Sequence, residues 1–182
     1  LEGATPTGYY LKKYCDASIN LTASGSSKKF HSWIIFRLGE FYLNYAEAMF
    51  RYTGDVEQAL PGDKSPLTAR QAINVIRQRT GVKMPELKAE DVNDPKVFWK
   101  RYKNERMVEL AFEGHRFWDV RRWKEGETFK EVTLMKITQN NNGTYNYSRE
   151  KSIRSWDDKM YFFPIPQTEL MCNTNLAQNP GW

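Results

Sequence analysis

The segment from Asn104 to Trp123 constrains the fold most, because closely spaced charges are mixed there with large apolar side chains. Glu105, Glu109 and Glu113 recur every four residues, so a helix places all of them on one face. The positions between them are mostly apolar, which indicates a buried helix. Buried charges persist only when they are paired and hydrogen-bonded. The sequence therefore predicts an internal arginine–glutamate network, with the charged members Arg37, Glu40, Glu105, Arg106, Glu109, Glu113, Arg116 and Asp119.

The same glutamates also admit a catalytic interpretation, in which two of them act on a glycosidic bond. Glycosidases hold their two carboxyl groups about 5 to 10 Å apart, usually on different elements. Here Arg106 and Arg116 each lie three residues from a glutamate, and a guanidinium lowers the pKa of a carboxyl group and keeps it ionised. This arrangement suits a clamp better than a general acid, so we assign no catalytic residue.

Composition narrows the remaining classes of protein. The 182 residues carry a formal net charge of +5, a mild excess that does not by itself imply a nucleic-acid partner. The mean hydropathy is −0.72 and no apolar run approaches eighteen residues, which argues against a membrane-spanning helix. Because the chain begins with Leu1 rather than methionine, we expect a processed or truncated start.

Cys15 and Cys172 stand far apart, and His31 and His115 are the only histidines, so we expect neither a metal nor a cofactor. The cysteines are open to two interpretations. A disulfide between them is one alternative, and two isolated buried thiols are the more ordinary one.

Helical spacing continues through the first half of the chain. We predict a helix from Ile34 to Tyr52, which ends at Gly54, and a second helix from about Pro66 to Thr80, which ends at Gly81. Small residues allow the two helices to pack closely as a hairpin that resembles one tetratricopeptide repeat, although no second copy follows at that repeat's period. The small residues are Ala46, Ala48, Ala69 and Ala72.

A third helix is predicted to start at Pro95, where Asp94 can cap the free amides, and to run towards Glu113. Gly114 then breaks the pattern, and a short fourth helix is predicted over His115 to Lys124.

The last third predicts a β-hairpin and an aromatic tail. Strands at Phe129–Thr138 and Thr144–Arg149 flank a turn with Asn142-Gly143, a dipeptide suited to tight hairpin turns. The proline-rich tail is expected to stay extended and pack back over the helices, with Trp182 as its anchor. The predicted fold class is mainly α: a tetratricopeptide-like helical hairpin, further helices, long irregular loops and a small β-hairpin.

Three motifs taken together resemble the C-terminal region of the SusD/RagB family: Arg37–Ala48, Asn104–Trp123, and Phe163–Gln167 with the closing Gln178–Trp182. The resemblance implies that residues 1–182 are the C-terminal portion of a longer protein, one partial domain whose N-terminal half and lipid anchor lie outside this chain.

It also implies a surface-exposed lipoprotein of the bacterial outer membrane that takes part in polysaccharide utilisation. Members bind glycans or other nutrients and deliver them to a TonB-dependent SusC-like transporter. They are not enzymes, and they contact the membrane through the lipid anchor.

No binding residue can be carried over from these motifs, so candidate contacts come from chemistry. Sugar C–H patches pack on flat aromatic faces, and polar side chains bind the hydroxyls. The candidates are the aromatic Trp33, Tyr145, Tyr147 and Trp156 and the polar Asn142, Asn146 and Asp157. The alternative is that these aromatics pack in the core or against the part of the protein outside this chain.

Two other functions stay open. A nucleic-acid-binding helical domain is suggested by basic residues interleaved with aromatics, which are Arg116, Arg121, Arg122, Lys124, Phe117, Trp118 and Trp123. A general tetratricopeptide-type module for protein interaction is the other alternative. We favour nutrient binding and expect no nucleic-acid partner.

Overall fold

A computed structural model describes residues 5, 7–19, 29–62 and 66–182. Within these residues the chain forms five α-helices and one two-stranded antiparallel sheet. The predicted mainly α fold class is therefore confirmed. The chain divides into two compact units. The helical unit is Phe30–Arg116, and the hairpin unit contains the described residues up to Lys29 together with Phe117–Trp182.

The first two helices of the helical unit form the predicted hairpin. Helix α1 spans Leu38–Thr53 and ends at Gly54, whose φ of 71° suits glycine and whose N–H binds the Phe50 carbonyl. Helix α2 spans Ala69–Gln78 and starts with a capping box, in which the side chains of Thr68 and Gln71 each accept a backbone N–H of the other residue. Helix α1 begins four residues later than the predicted Ile34.

Small residues form much of the buried surface of the α1–α2 hairpin. Ala46, Ala69 and Ala72 are fully buried, together with Leu43 and Ile73. The prediction was wrong for Ala48, which is exposed. Two residues along a helix correspond to about 200° of rotation, so Ala48 lies nearly opposite the buried Ala46.

Helix α3, Pro95–Glu109, supplies the largest buried side chains, Phe98 and Tyr102. Asp94 caps the helix, as predicted, because its Oδ1 accepts the Lys96 N–H at 2.8 Å. The helix ends at Glu109 rather than Glu113, because Phe112 adopts a φ of 63° that no α-helix continues through.

Helix α4 spans His115–Arg122, and strands β1 at Glu131–Gln139 and β2 at Tyr145–Ile153 form the sheet of the hairpin unit. The register pairs Glu131 with Ile153 and Gln139 with Tyr145. Strand β2 continues four residues past the predicted end at Arg149. Gly143 has a φ of 81° in the connecting turn, as Asn-Gly turns require.

The tail is not wholly extended, since helix α5 spans Gln167–Cys172 directly after Pro166. Proline is tolerated there because the first helical N–H groups have no partner within the helix. The Trp182 indole N–H donates to the carbonyls of Lys159 at 3.1 Å and Phe162 at 3.2 Å, which ties the end of the tail to the hairpin unit.

Neither expectation for the cysteines holds, because Cys15 and Cys172 are unpaired and exposed. None of the helices in the described part of the chain has the length and apolar character needed to cross a membrane.

Candidate functional site

Two of the regularly spaced glutamates, Glu109 and Glu113, bind Arg37, which lies directly before α1. Arg37 donates from Nη1 to Glu109 Oε1 and from Nε to Glu113 Oε2, both at 2.6 Å. Its Nη2 donates to Glu113 Oε1 at 2.9 Å and to the Glu109 carbonyl at 2.7 Å. One guanidinium therefore holds the two carboxylates, and the geometry with Glu113 is the bidentate fork that arginine favours.

Other partners in the helical unit also come from distant parts of the chain. Arg77 pairs with Glu105, and Arg79 adds a second arginine to Glu109. Buried Arg106, which the sequence places near Glu109, donates to Asn44 Oδ1 at 2.8 Å.

The remaining predicted members are Glu40, Arg116 and Asp119. Glu40 lies 3.7 Å from His115 Nε2, and Arg116 is half-buried. Asp119 is buried and pairs with Arg122 at 2.8 Å within α4.

This arrangement decides what the glutamates can do chemically. Burial acts to raise the pKa of Glu109, but hydrogen bonds from Arg79 and Arg37 outweigh it and hold that pKa below its usual value. A carboxyl group held ionised in this way cannot serve as a general acid near neutral pH. The cluster therefore has the chemistry of a structural clamp.

A different surface lies on the β-hairpin. Tyr145 and Tyr147 are two residues apart on β2 and so share one face of the sheet, with Gln139 and Ile137 directly opposite them on β1. We call these four residues the tyrosine face. Tyr145 is 53% exposed and Tyr147 is 67% exposed. Their rings are accessible, as aromatic platforms for sugars must be.

A cleft of about 430 Å³ adjoins this face, where the segment around Gly8 lies along the free edge of β1. The Met135 N–H donates to the Thr7 carbonyl at 2.9 Å, which attaches the segment. Tyr10 and Tyr145 line this hairpin cleft, together with the polar residues Gln139, Lys136 and Glu150. The cleft thus combines aromatic rings with hydrogen-bonding groups.

Replacing Gly8 with alanine is expected to detach this segment. Gly8 has a φ of 72°, and an added Cβ would lie 2.1 Å from the Met135 carbonyl oxygen. We expect the Met135 amide to exchange its hydrogen at least about tenfold faster in the variant, measured by hydrogen–deuterium exchange. Lys12→Ala is the matched control, because its side chain is exposed and the change keeps the backbone bond, so this rate should stay unchanged. Unchanged exchange in the Gly8 variant would contradict the edge packing.

The candidate asparagines lie in and beside the turn. Asn142 Oδ1 accepts from the Thr144 hydroxyl at 2.6 Å and from its N–H at 3.1 Å. The Asn146 Nδ2 donates to Asn140 Oδ1 at 3.1 Å. These bonds hold the hairpin turn, and Asn146 lies on the face opposite the two tyrosines.

The candidates in the last third are packed or capping residues. Trp156 is half-buried, with ring centres 5.7 Å from Phe129 and 5.1 Å from Tyr161. Asp157 Oδ1 accepts the Lys159 N–H at 3.0 Å and so caps the following 3-10 turn. Trp33 belongs to the helical unit, where it is exposed. The structure thus places only Tyr145, among the seven candidates, in the hairpin cleft.

Sequence reasoning did not identify the second cleft of the hairpin unit. It measures about 630 Å³, and we call it the arginine cleft. Its lining residues are Trp118, Arg121, Arg122, Lys124, Asp158, Tyr161 and Phe162. The basic and aromatic pattern of α4 was a signal, but nothing in the sequence indicates that Asp158, Tyr161 and Phe162 come to the same place. Among the described residues, no group of three or more potential metal-ligating side chains is close enough to hold an ion.

A tetratricopeptide-like helical hairpin and a separate hairpin unit with two aromatic clefts define a mainly α fold. Comparison with protein families matches residues 1–182 to the SusD family, so the chain belongs to that family.

The fold also matches the crystal structure of a SusD-like protein from Bacteroides fragilis, with 39% sequence identity and a TM-score of 0.65. The match covers 82% of this chain and 26% of the solved chain, so the present chain spans about a quarter of that relative's length. No curated protein matches the chain.

Proposed function

We propose that this chain is the C-terminal portion of a protein that binds glycans or other nutrients at the bacterial cell surface. The protein hands its ligand to a TonB-dependent SusC-like transporter of the outer membrane. Membership of the SusD family over residues 1–182 supports this proposal, as does the likeness to a solved SusD-like protein at 39% identity. A lipid anchor outside this chain attaches the protein to the outer membrane in this proposal.

The observation that carries ligand binding is the tyrosine face beside the hairpin cleft. Tyr145 and Tyr147 present accessible rings, and Tyr10 lines the same cleft as Tyr145. Aromatic faces stack on sugar rings, while a few placed polar groups orient the ligand. Gln139, directly opposite Tyr145 on the same face, supplies both a donor and an acceptor for hydroxyl groups.

The proposed action is capture and delivery without covalent chemistry, so we propose that the protein is not an enzyme. Two of the glutamates that suggest a glycosidase, Glu109 and Glu113, are held by Arg37, and Arg79 also pairs with Glu109. Binding alone is what the tyrosine face can provide.

Titration calorimetry of the protein against a panel of neutral and acidic oligosaccharides tests this function. We expect at least one saccharide to bind, and Tyr147→Ala to weaken that binding at least about tenfold, because a stacked aromatic anchor is lost. Tyr52→Ala is the matched control, since Tyr52 is exposed on α1 outside the hairpin unit, and its affinity should match the parent.

Two results would overturn the proposal. Binding of helical peptides without binding of any saccharide would identify a tetratricopeptide-type interaction module. Equal affinity of the parent and the Tyr147 variant for every saccharide would remove the tyrosine face from binding.

A further inference from the structure

Arg121 on α4 lies in an unusual environment for an arginine. Its guanidinium carbon lies 3.4 Å from the ring centre of Phe117, 5.5 Å from Trp156 and 5.7 Å from Phe163. Its Nη1 donates to the Phe117 carbonyl at 3.2 Å, whereas its Nε is buried without a hydrogen-bond partner. No carboxylate among the described residues forms an ion pair with it. The contrast with Arg37, which holds two carboxylates, is clear.

Burial lowers the pKa of Arg121, but the group stays charged at neutral pH because arginine starts so high. A partly desolvated cation without an anion is costly, and aromatic faces compensate only in part. An arriving anion would supply the missing counter-charge. Charge-assisted hydrogen bonds from a guanidinium to carboxylate or sulfate are among the strongest that proteins form.

The rest of the arginine cleft adds to the positive charge. Arg122 and Lys124 line it with Arg121, and Asp158 is the one acid among its lining residues, which leaves an excess of two positive charges. Arg122 already pairs with Asp119 at 2.8 Å. Lys124 adopts a φ of 55° and its N–H binds the Arg121 carbonyl at 3.0 Å, so the backbone is held in a tight turn between these two basic residues.

Exposed rings complete the walls of the cleft. Trp118 is 58% exposed and Phe162 is 63% exposed, both beside the basic residues. Rings of this kind pack on sugar C–H groups, and a volume of about 630 Å³ lies within the range of small-molecule sites. The cleft therefore offers a stacking surface and cations to the same ligand.

We propose that the arginine cleft binds the acidic group of an anionic saccharide, with Arg121 and Lys124 on the carboxylate or sulfate and Trp118 and Phe162 against the sugar rings. This inference rests on the proposed function and names the class of ligand. Carboxylated and sulfated sugars share the recognised chemistry, so both are included in the test.

The surroundings favour a short anionic sugar over a nucleic acid. A single strand is bound along an extended positive groove with stacking platforms for successive bases. Here one basic residue is already paired with Asp119, and Asp158 would face the phosphates. The cationic part is confined to the C-terminal end of α4 and Lys124, two residues beyond it.

Calorimetry with trigalacturonate and its fully methyl-esterified form is the direct test, because the two trisaccharides differ in charge but little in shape. We expect the acid to bind at least about tenfold more tightly than the ester. A galactose trisaccharide sulfated on each ring distinguishes sulfate from carboxylate recognition. Tighter binding of either acidic trisaccharide than of the neutral ester supports the proposal.

Variants then locate the site. Arg121→Gln is expected to lose most of the preference for acid over ester. Lys124→Asn is the second variant, because Asn suits a left-handed backbone and leaves the aromatic packing intact; it should weaken acid binding about fivefold. Lys100→Gln, an exposed lysine on α3, should leave the affinity unchanged.

The outcomes separate this inference from the proposed function. Binding of neutral sugars without any preference for acidic ones would overturn the inference and leave the proposed function standing. Acid preference retained in both the Arg121 and Lys124 variants would overturn the assignment to this cleft. Tighter, salt-sensitive binding of octathymidylate than of any saccharide would overturn it in favour of nucleic acid. The absence of binding to every saccharide would overturn this inference and also glycan binding in the proposed function.

Discussion

Replacement of Arg37 with alanine is expected to destabilise the helical unit by about 3 kcal/mol or more, because the variant leaves buried carboxylates without their main partner. The side chains of Glu109 and Glu113 are only 9% and 3% exposed. Removal of the guanidinium also leaves the Glu109 carbonyl without its hydrogen bond at 2.7 Å. Urea denaturation followed by circular dichroism measures the change in the free energy of unfolding.

Two controls separate geometry from charge. Arg37→Lys should fall between the parent and the alanine variant, because an ammonium group cannot form the two-pronged contact with Glu113. Lys88→Ala removes a cation from an exposed pair with Glu90 and should cost less than about 1 kcal/mol. If Arg37→Ala also lowered the free energy of unfolding by less than about 1 kcal/mol, the clamp would be contradicted.

The contact between Arg37 and Glu109 also makes the stability of the folded state depend on pH. A group whose pKa is lowered on folding stabilises the folded state above its unfolded pKa, and this stability is lost as the pH falls through the folded value. The pKa of Glu109 is lowered from about 4.5. The parent should therefore lose stability on acidification below about pH 4.5, and the Arg37→Ala variant should lose less over the same range, since only Arg79 then lowers that pKa.

Replacement of Gly126 with alanine is the second large effect, with an expected loss of about 3 kcal/mol from overpacking. An added Cβ would lie 1.8 Å from Cε2 of the Trp156 ring. The ring cannot move freely, because it packs against Phe129 and Tyr161. The Gly126 N–H also donates to the Tyr161 hydroxyl at 2.9 Å, so a shift of this backbone breaks a second contact.

Denaturant unfolding again measures the change, and a double-mutant cycle supplies the control. Trp156→Phe provides a smaller ring, so the double variant should be less destabilised than the sum of the single variants. Additive losses would show that Gly126 and Trp156 do not compete for the same space.

Local signals in the sequence determined much of the secondary structure. The alternation of charged and apolar residues predicts α3 and α4, and Asp94 before Pro95 marks where α3 starts. The Asn142-Gly143 dipeptide predicts the turn between β1 and β2. Such signals act through neighbours within about four residues, so they can be read without the rest of the fold.

The candidate binding residues were predicted from the chemistry of their side chains rather than from their spacing in the sequence. Aromatic residues beside a turn suggested Tyr145 and Tyr147, which the structure leaves accessible. The same reasoning included Trp156, which packs beside Gly126. Residue type alone does not distinguish the two cases, because burial depends on what the rest of the chain brings against each ring.

Only the tertiary structure decided which charges meet. Glu109 and Glu113 have arginines three residues away in the sequence, yet their clamp is Arg37, 72 and 76 residues distant. Arg121, in a similarly charged stretch, is instead surrounded by aromatic rings. The sequence by itself determined that these charges lie on helices with apolar neighbours. Their partners follow from the way the elements pack, because the energy of a buried ion depends on atoms within a few ångströms, whatever their distance along the chain.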